Sequence, residues 1–166
     1  MSTYGISASQ PFPKRIIHEF DRQVQPNVYA VGHLHRSLWD ADLRIGRPGT
    51  FEAYDTEAYK LIANVTKRLL GKTAYRKRPV HRKRLPNLVT LESIADRPHL
   101  NILVHKPDRF TFEEFKATLI QEWAALTWTV KEPGALWIEP RAGNCVAYSF
   151  KEGNESLLPR SYCFHR

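Results

Sequence analysis

Two stretches of the chain alternate with the period of a β-strand. In Arg97-Pro98-His99-Leu100-Asn101-Ile102-Leu103-Val104-His105, Leu100, Ile102 and Val104 fall on one face and His99, Asn101 and Leu103 on the other. Before it, Leu88-Val89-Thr90-Leu91-Glu92-Ser93-Ile94 reads as a second strand, and Ala95-Asp96-Arg97 as a tight turn between the two. Directly opposed residues of an antiparallel pair share a face. A turn centred on Ala95-Asp96 sets Glu92 opposite His99, and one centred on Asp96-Arg97 sets it opposite Asn101. A three-residue turn without a bulge would set Glu92 opposite Leu100, on the wrong face.

The pattern elsewhere is mixed. Lys14–Val24 reads as a short helix with Ile17 and Phe20 inward, and residues 27–38 as a strand. Residues 40–50, with Gly46, Pro48 and Gly49, read as a loop. Thr50 or Asp55 caps the next helix, which runs to Leu70 with Tyr59, Ile62, Val65 and Leu69 spaced by three and four, and Gly71 stops it. Thr111 and Glu114 form a capping-box pattern ahead of a helix to about Ala125, with Phe112, Phe115, Leu119 and Trp123 on its core face. Residues 127–131 and 135–139 predict a hairpin turned at Pro133-Gly134. Residues 144–153 predict a short helix capped at Asn144 and stopped by Gly153, with Tyr148 and Lys151 sharing a face. Residues 1–13 are polar with two prolines and read as a loose segment, leaving 14–166 as a single domain.

Composition narrows the class. A chain of 166 residues that is 42% hydrophobic can build a core and is not disordered by composition. The net charge of +8 favours a polyanionic partner, nucleic acid before membrane. Cys145 and Cys163 do not have metal-site spacing, so a reduced, cytoplasmic protein is the expectation. No run of about 18 apolar residues and no signal-peptide core is present, which argues against a membrane partner.

Three groups of residues carry candidate chemistry. Glu92, His99 and Asn101 share one patch in either two-residue register. A carboxylate, an imidazole and an amide oxygen together suit Mg²⁺ or Mn²⁺ better than structural zinc. Residues 72–84 carry Lys72, Arg76, Lys77, Arg78, Arg82, Lys83 and Arg84 with Tyr75 interleaved, and Pro79 breaks any continuous helix. Such a segment fits nucleic acid, with cations on phosphates and the ring stacked on a base. Tyr148 offers a hydroxyl nucleophile toward phosphate, and Lys151 an ammonium to stabilise developing charge. His33-Leu34-His35 is a second alternating histidine pair, a rival metal site or a solvent- or DNA-facing strand end.

A glutamate-bearing strand, a His-hydrophobic-polar strand, a Phe/Trp-rich helix and then Tyr-x-x-Lys together resemble the HUH endonuclease superfamily. The closest likeness is to the single-tyrosine nuclease domain of rolling-circle replication initiators from plasmids and phages, over roughly residues 28–153. The resemblance implies an α+β fold with a five-stranded antiparallel sheet flanked by helices. It maps the metal motif onto His99-Leu100-Asn101, the additional carboxylate ligand onto Glu92, and the catalytic pair onto Tyr148 and Lys151. Asn101 stands where the family usually has a second histidine. The implied activity is metal-dependent nicking and joining of single-stranded DNA, or of a DNA hairpin at a replication origin, with a host helicase as a further partner. A single-tyrosine transposase or relaxase shares this chemistry, and a non-catalytic nucleic-acid-binding module could keep the fold with a decayed site.

Overall fold

The computed structural model describes residues 13–80, 83–141 and 143–164, apart from the side chain of Asn154. The loose segment expected over 1–13 lies outside them except for Pro13. The elements run α1 (Lys14–Val24), β1 (Val28–His33), β2 (Ser37–Asp40), β3 (Ile45–Pro48), α2 (Phe51–Leu70), α3 (Lys72–Lys77), β4 (Asn87–Glu92), β5 (His99–Val104), α4 (Phe112–Ala124), β6 (Leu136–Pro140) and α5 (Cys145–Ser149), followed by a 3-10 turn at Asn154–Ser156. The class is α+β, as expected. The main sheet has four antiparallel strands in the order β4-β5-β1-β6, not five, and β2 pairs with β3 in a separate ribbon.

The β4–β5 register is the one that an Ala95-Asp96 centre requires: Glu92 faces His99 and Thr90 faces Asn101. The turn closes with Asp96 N–H on the Ser93 carbonyl, and Ser93 takes a left-handed conformation at φ 53°. Two expectations fail for one reason, which is long-range pairing. The strand expected over 27–38 ends at His33, after which Leu34 bridges to Thr129 and the His35 N–H bonds to the Trp128 carbonyl. The hairpin expected over 127–139 does not pair with itself. Val130 N–H goes to the His33 carbonyl, while β6 lies along β1. The loop expected over 40–50 is the β2–β3 hairpin, whose tip is tied by the Asp40 carboxylate accepting from the Asp42 and Leu43 N–H groups.

The boundaries of α2 and α4 follow their signals. Thr50 Oγ1 accepts from Ala53 N–H at 3.2 Å, Gly71 ends α2 at φ 85°, and the Thr111–Glu114 capping box is fully formed. α2 and α4 pack on one face of the sheet, over Ala30, Val89, Leu100 and Ile102. Gly32 is required there, because a Cβ would lie 2.2 Å from the Trp123 ring. On the other face Tyr29, Leu88 and Leu103 meet Val24 of α1 and Val146 and Phe150 around α5. The Phe20 ring lies 5.4 Å from both the Phe150 and Tyr162 rings. Tyr162 is packed here and donates to Gln23 Oε1 at 2.6 Å. Cys145 and Cys163 are buried and unbridged. No helix among the described residues is long and apolar enough to cross a membrane.

Candidate active site

The second face of the sheet carries the candidate chemistry at one end. Glu92 ends β4, His99 begins β5, and His33 ends β1, so three neighbouring strands present these side chains in one row. The Glu92 side chain is fully buried, and its Oε2 lies 3.1 Å from His99 Nε2. His99 Nδ1 sits 3.0 Å from the Arg97 carbonyl. A carbonyl can accept but not donate, so Nδ1 carries a proton and Nε2 is turned to the carboxylate.

Tyr148 and Lys151 reach this row from above. α5 is shorter than the expected helix, and the Asn144 side chain makes no capping bond. Lys151 falls in the turn that follows, with its N–H on the Tyr148 carbonyl at 3.1 Å, so the spacing of three still sets both side chains together. Lys151 Nζ donates to the Tyr148 hydroxyl at 2.9 Å and to Glu92 Oε2 at 2.9 Å. Both contacts favour the ammonium, the Tyr148 bond more strongly, and hold Lys151 above its usual range despite partial burial. The result is a continuous polar chain, Tyr148–Lys151–Glu92–His99. It borders a cleft of about 440 Å³ lined by His99, Asn101, Tyr148, Tyr29, Trp137 and Glu139, among others.

The divalent cation implied by the resemblance can be tested against these donors. The 3.1 Å between Glu92 Oε2 and His99 Nε2 matches the edge between adjacent ligands of a small octahedral cation, about 3 Å for bonds near 2.1 Å. Glu92 Oε1 is buried without a hydrogen-bond partner among the described residues, an acceptor with spare capacity. Asn101 lies on the same face and lines the same cleft, but its Oδ1 accepts from the Tyr29 hydroxyl at 2.9 Å, and its Nδ2 is 3.4 Å from Thr90 Oγ1. Among the described residues no three His, Cys, Asp or Glu side chains gather around one point. Glu92 Oε2 already accepts from the Lys151 ammonium at 2.9 Å, so the donors left to hold such an ion are Glu92 Oε1 and His99 Nε2, with Asn101 able to offer only its second lone pair.

The rival histidine pair separates. His33 stands beside His99 with ring centroids 5.8 Å apart, and burial, then His99 and Arg97, push its pKa down. His35 lies past the strand end, tethered through its backbone to Trp128.

The basic segment is not at this cleft. It leads into β4 at Asn87, and Glu92 lies five residues on, roughly 17 Å along the strand. Lys72, Arg76 and Lys77 are exposed on α3, while Arg82 lies outside the described residues. Tyr75 is buried at 6% exposure, with the Lys67 and Lys83 ammonium groups 5.0 and 5.2 Å from its ring. The expected stacking of Tyr75 on a base is thus corrected, since its ring is already enclosed. Arg84 is structural: it donates to the Ser161 and Tyr162 carbonyls and lies over the Tyr59 ring. Arg78 and Arg84, with Arg109 and His105, line a second cleft of about 640 Å³ at this far end.

Tyr29, Trp137 and Glu139 join the site without a local sequence signal, while His33 enters from the alternating pair His33-Leu34-His35. The pairing of β1 with both β5 and β6 brings them there. Comparison with known protein families, curated proteins and solved structures yields no match.

Proposed function

We propose that the chain nicks and rejoins single-stranded DNA through a phosphotyrosine intermediate, the reaction of a single-tyrosine replication initiator. The observation that carries this reading is the unbroken polar chain from the Tyr148 hydroxyl through Lys151 to Glu92 and His99, at 2.9, 2.9 and 3.1 Å, on the border of an open cleft. The Tyr148 oxygen attacks the scissile phosphorus and forms a P–O bond. The P–O bond to the 3′ oxygen breaks, that oxygen leaves as a 3′-OH after gaining a proton, and the 5′ phosphate stays on Tyr148. Lys151 stabilises negative charge on the tyrosine oxygen as the hydroxyl proton passes to solvent, and the leaving 3′ oxygen takes its proton from solvent in turn. His99 is oriented by the Arg97 carbonyl, and buried Glu92 fixes the Lys151 ammonium. Mg²⁺ or Mn²⁺, held by Glu92 and His99 with Asn101 alongside, would supply charge on the phosphate oxygens. The ester conserves the energy of the broken bond, so a second 3′-OH can reverse the reaction without ATP.

The proposed setting is initiation of rolling-circle replication of a plasmid or phage, at an origin hairpin opened with a host helicase. The test is incubation with a pool of labelled single-stranded DNA and Mn²⁺, followed by denaturing electrophoresis. The expected result is a protein–DNA adduct that Tyr148→Phe does not form. Absence of both adduct and metal-dependent cleavage would favour a binding module instead. That second reading has its own support in the Asn101 amide, which is already engaged by Tyr29 and Thr90.

A further inference from the structure

The geometry points to a guanine-selective nucleobase pocket in the cleft beside Tyr148, formed by Trp137 and Glu139. This rests on the single-strand-binding part of the proposed function and names what that site recognises. The cleft, about 440 Å³, falls within the roughly 300–1,000 Å³ typical of small-ligand sites. Trp137 is 53% exposed on its wall, and buried Tyr29 meets it edge to face at 6.3 Å and 84°, which sets the ring's orientation. An indole held this way beside a nucleophile for phosphate is a platform on which an unpaired base can stack.

Glu139 follows two residues on, so it shares Trp137's face of β6 and stands about 7 Å along the strand. It is half-buried in the same cleft, and its carboxylate has no hydrogen bond or ion pair among the described residues. A carboxylate at a DNA site repels phosphate, so its presence is costly unless it accepts hydrogen bonds from a base. An ionised carboxylate offers two acceptors and no donor. Guanine alone presents two adjacent donors, N1–H and the N2 amino group, on its Watson–Crick edge. Adenine and cytosine set an amino donor beside a ring-nitrogen acceptor, and thymine flanks its one N–H with two carbonyls. Each of these three turns an acceptor toward the carboxylate. Asn144, also on the cleft and without a capping bond, has an amide N–H₂ that can serve guanine O6.

The test measures binding apart from cleavage, using the full chain with Tyr148→Phe. Fluorescence anisotropy would follow thymidine pentanucleotides whose central base is guanine, hypoxanthine, adenine, cytosine or thymine. Guanine should bind about tenfold tighter than the others, the scale of one bidentate base contact. Hypoxanthine, which lacks the N2 amino group, should lose most of that preference. Glu139→Gln should level the series. Trp137→Ala should weaken every base alike and Trp137→Phe should restore binding, which separates stacking from a folding defect. Equal affinities, a preference that survives Glu139→Gln, or no binding of any oligonucleotide would overturn the pocket. An adduct on Tyr148 without base selectivity would leave the nuclease and remove the pocket, and selectivity without an adduct would do the reverse.

Discussion

The Lys151 ammonium stands 2.9 Å from the Tyr148 hydroxyl and donates to it, while the same nitrogen is 2.9 Å from the buried carboxylate of Glu92. A cation donating to a phenol oxygen cannot be the base that deprotonates it. In the proposed reaction its place is to stabilise the charge that develops on the attacking oxygen. Tyr148→Phe removes one hydroxyl and little volume. It should keep DNA binding within about twofold, because uncharged surface changes are near neutral, and it should abolish the covalent adduct. Peptide mapping of a trapped adduct checks the assignment, and an adduct on Tyr162 would overturn it.

Glu92→Gln keeps the shape of the side chain but takes away the charge that Lys151 and His99 share. Adduct formation should fall by about 10²-fold or more, the scale of losing one preorganised electrostatic group. His99→Ala should abolish metal-dependent cleavage with the fold intact, since His99 is at the rim of the sheet. Single-turnover cleavage across a Mn²⁺ series reads both changes. Cleavage that persists in His99→Ala would remove this residue from the ligand set.

The basic segment lies at the other end of the sheet, so its contribution to binding should be separable from chemistry. Charge reversal at Arg76, Lys77 and Lys83, with Arg82, should weaken DNA affinity and flatten its salt dependence, by a slope of roughly 0.7 per lost contact for a single strand. The rate of cleavage at saturating DNA should stay put. An unchanged salt slope would mean that these cations face only water.

Much of this arrangement was legible in the sequence, and what was not has a physical pattern. Local signals held: the cap at Thr50, the stop at Gly71, the Thr111–Glu114 box and the core stripe of α4 all stand where short-range chemistry puts them. The sequence allows two registers for the β4–β5 hairpin that keep Glu92 on the patch, and the structure takes the one with Glu92 on His99. Contacts between distant segments were not legible. Nothing near His33 says that it will sit beside His99. Nothing near Trp137 or Glu139 says that β6 will pair with β1 rather than with residues 127–131. Tyr75 misled for a related reason, because a ring among cations reads the same in sequence whether those cations face DNA or cover the ring themselves.

Gly32→Ala is a sharp probe of the opposite face. The added methyl group would lie 2.2 Å from Trp123 Cη2 and 2.7 Å from two neighbouring ring atoms, in a layer where Trp123 is also held by its indole N–H on the Val130 carbonyl. Overpacking of this kind costs about 1–3 kcal/mol. The midpoint of thermal or urea unfolding should fall accordingly, while a melting point equal to that of the parent would contradict the close packing.

Stability should also fall in alkali. Burial pushes the hydroxyls of Tyr29 and Tyr162 up to about 12. Because the folded pKa lies above the unfolded value near 10, their contribution is whole below pH 10 and disappears as the pH rises from 10 toward 12, by roughly 2 kcal/mol each. Urea unfolding at pH 8, 10 and 11 would show the decline, and Tyr29→Phe should flatten part of it. A stability that does not change above pH 10 would contradict their burial as phenols.

The final segment of the described chain bridges to the outer strand, Leu157 to Thr90 and Cys163 to Asn87. Asn87 and Cys163 exchange backbone bonds in both directions, and the Leu158 N–H bonds to the Val89 carbonyl. A bare sheet margin is a template for copying: any extended chain can add itself there, including the same region of another molecule. Here the outer edge of β4, the strand that carries Glu92, is already covered by residues 157–163 of the same chain. Peeling that segment away would therefore do two things at once. It would bare a row of backbone groups open to pairing edge to edge with another chain, and it would loosen the strand on which the carboxylate stands.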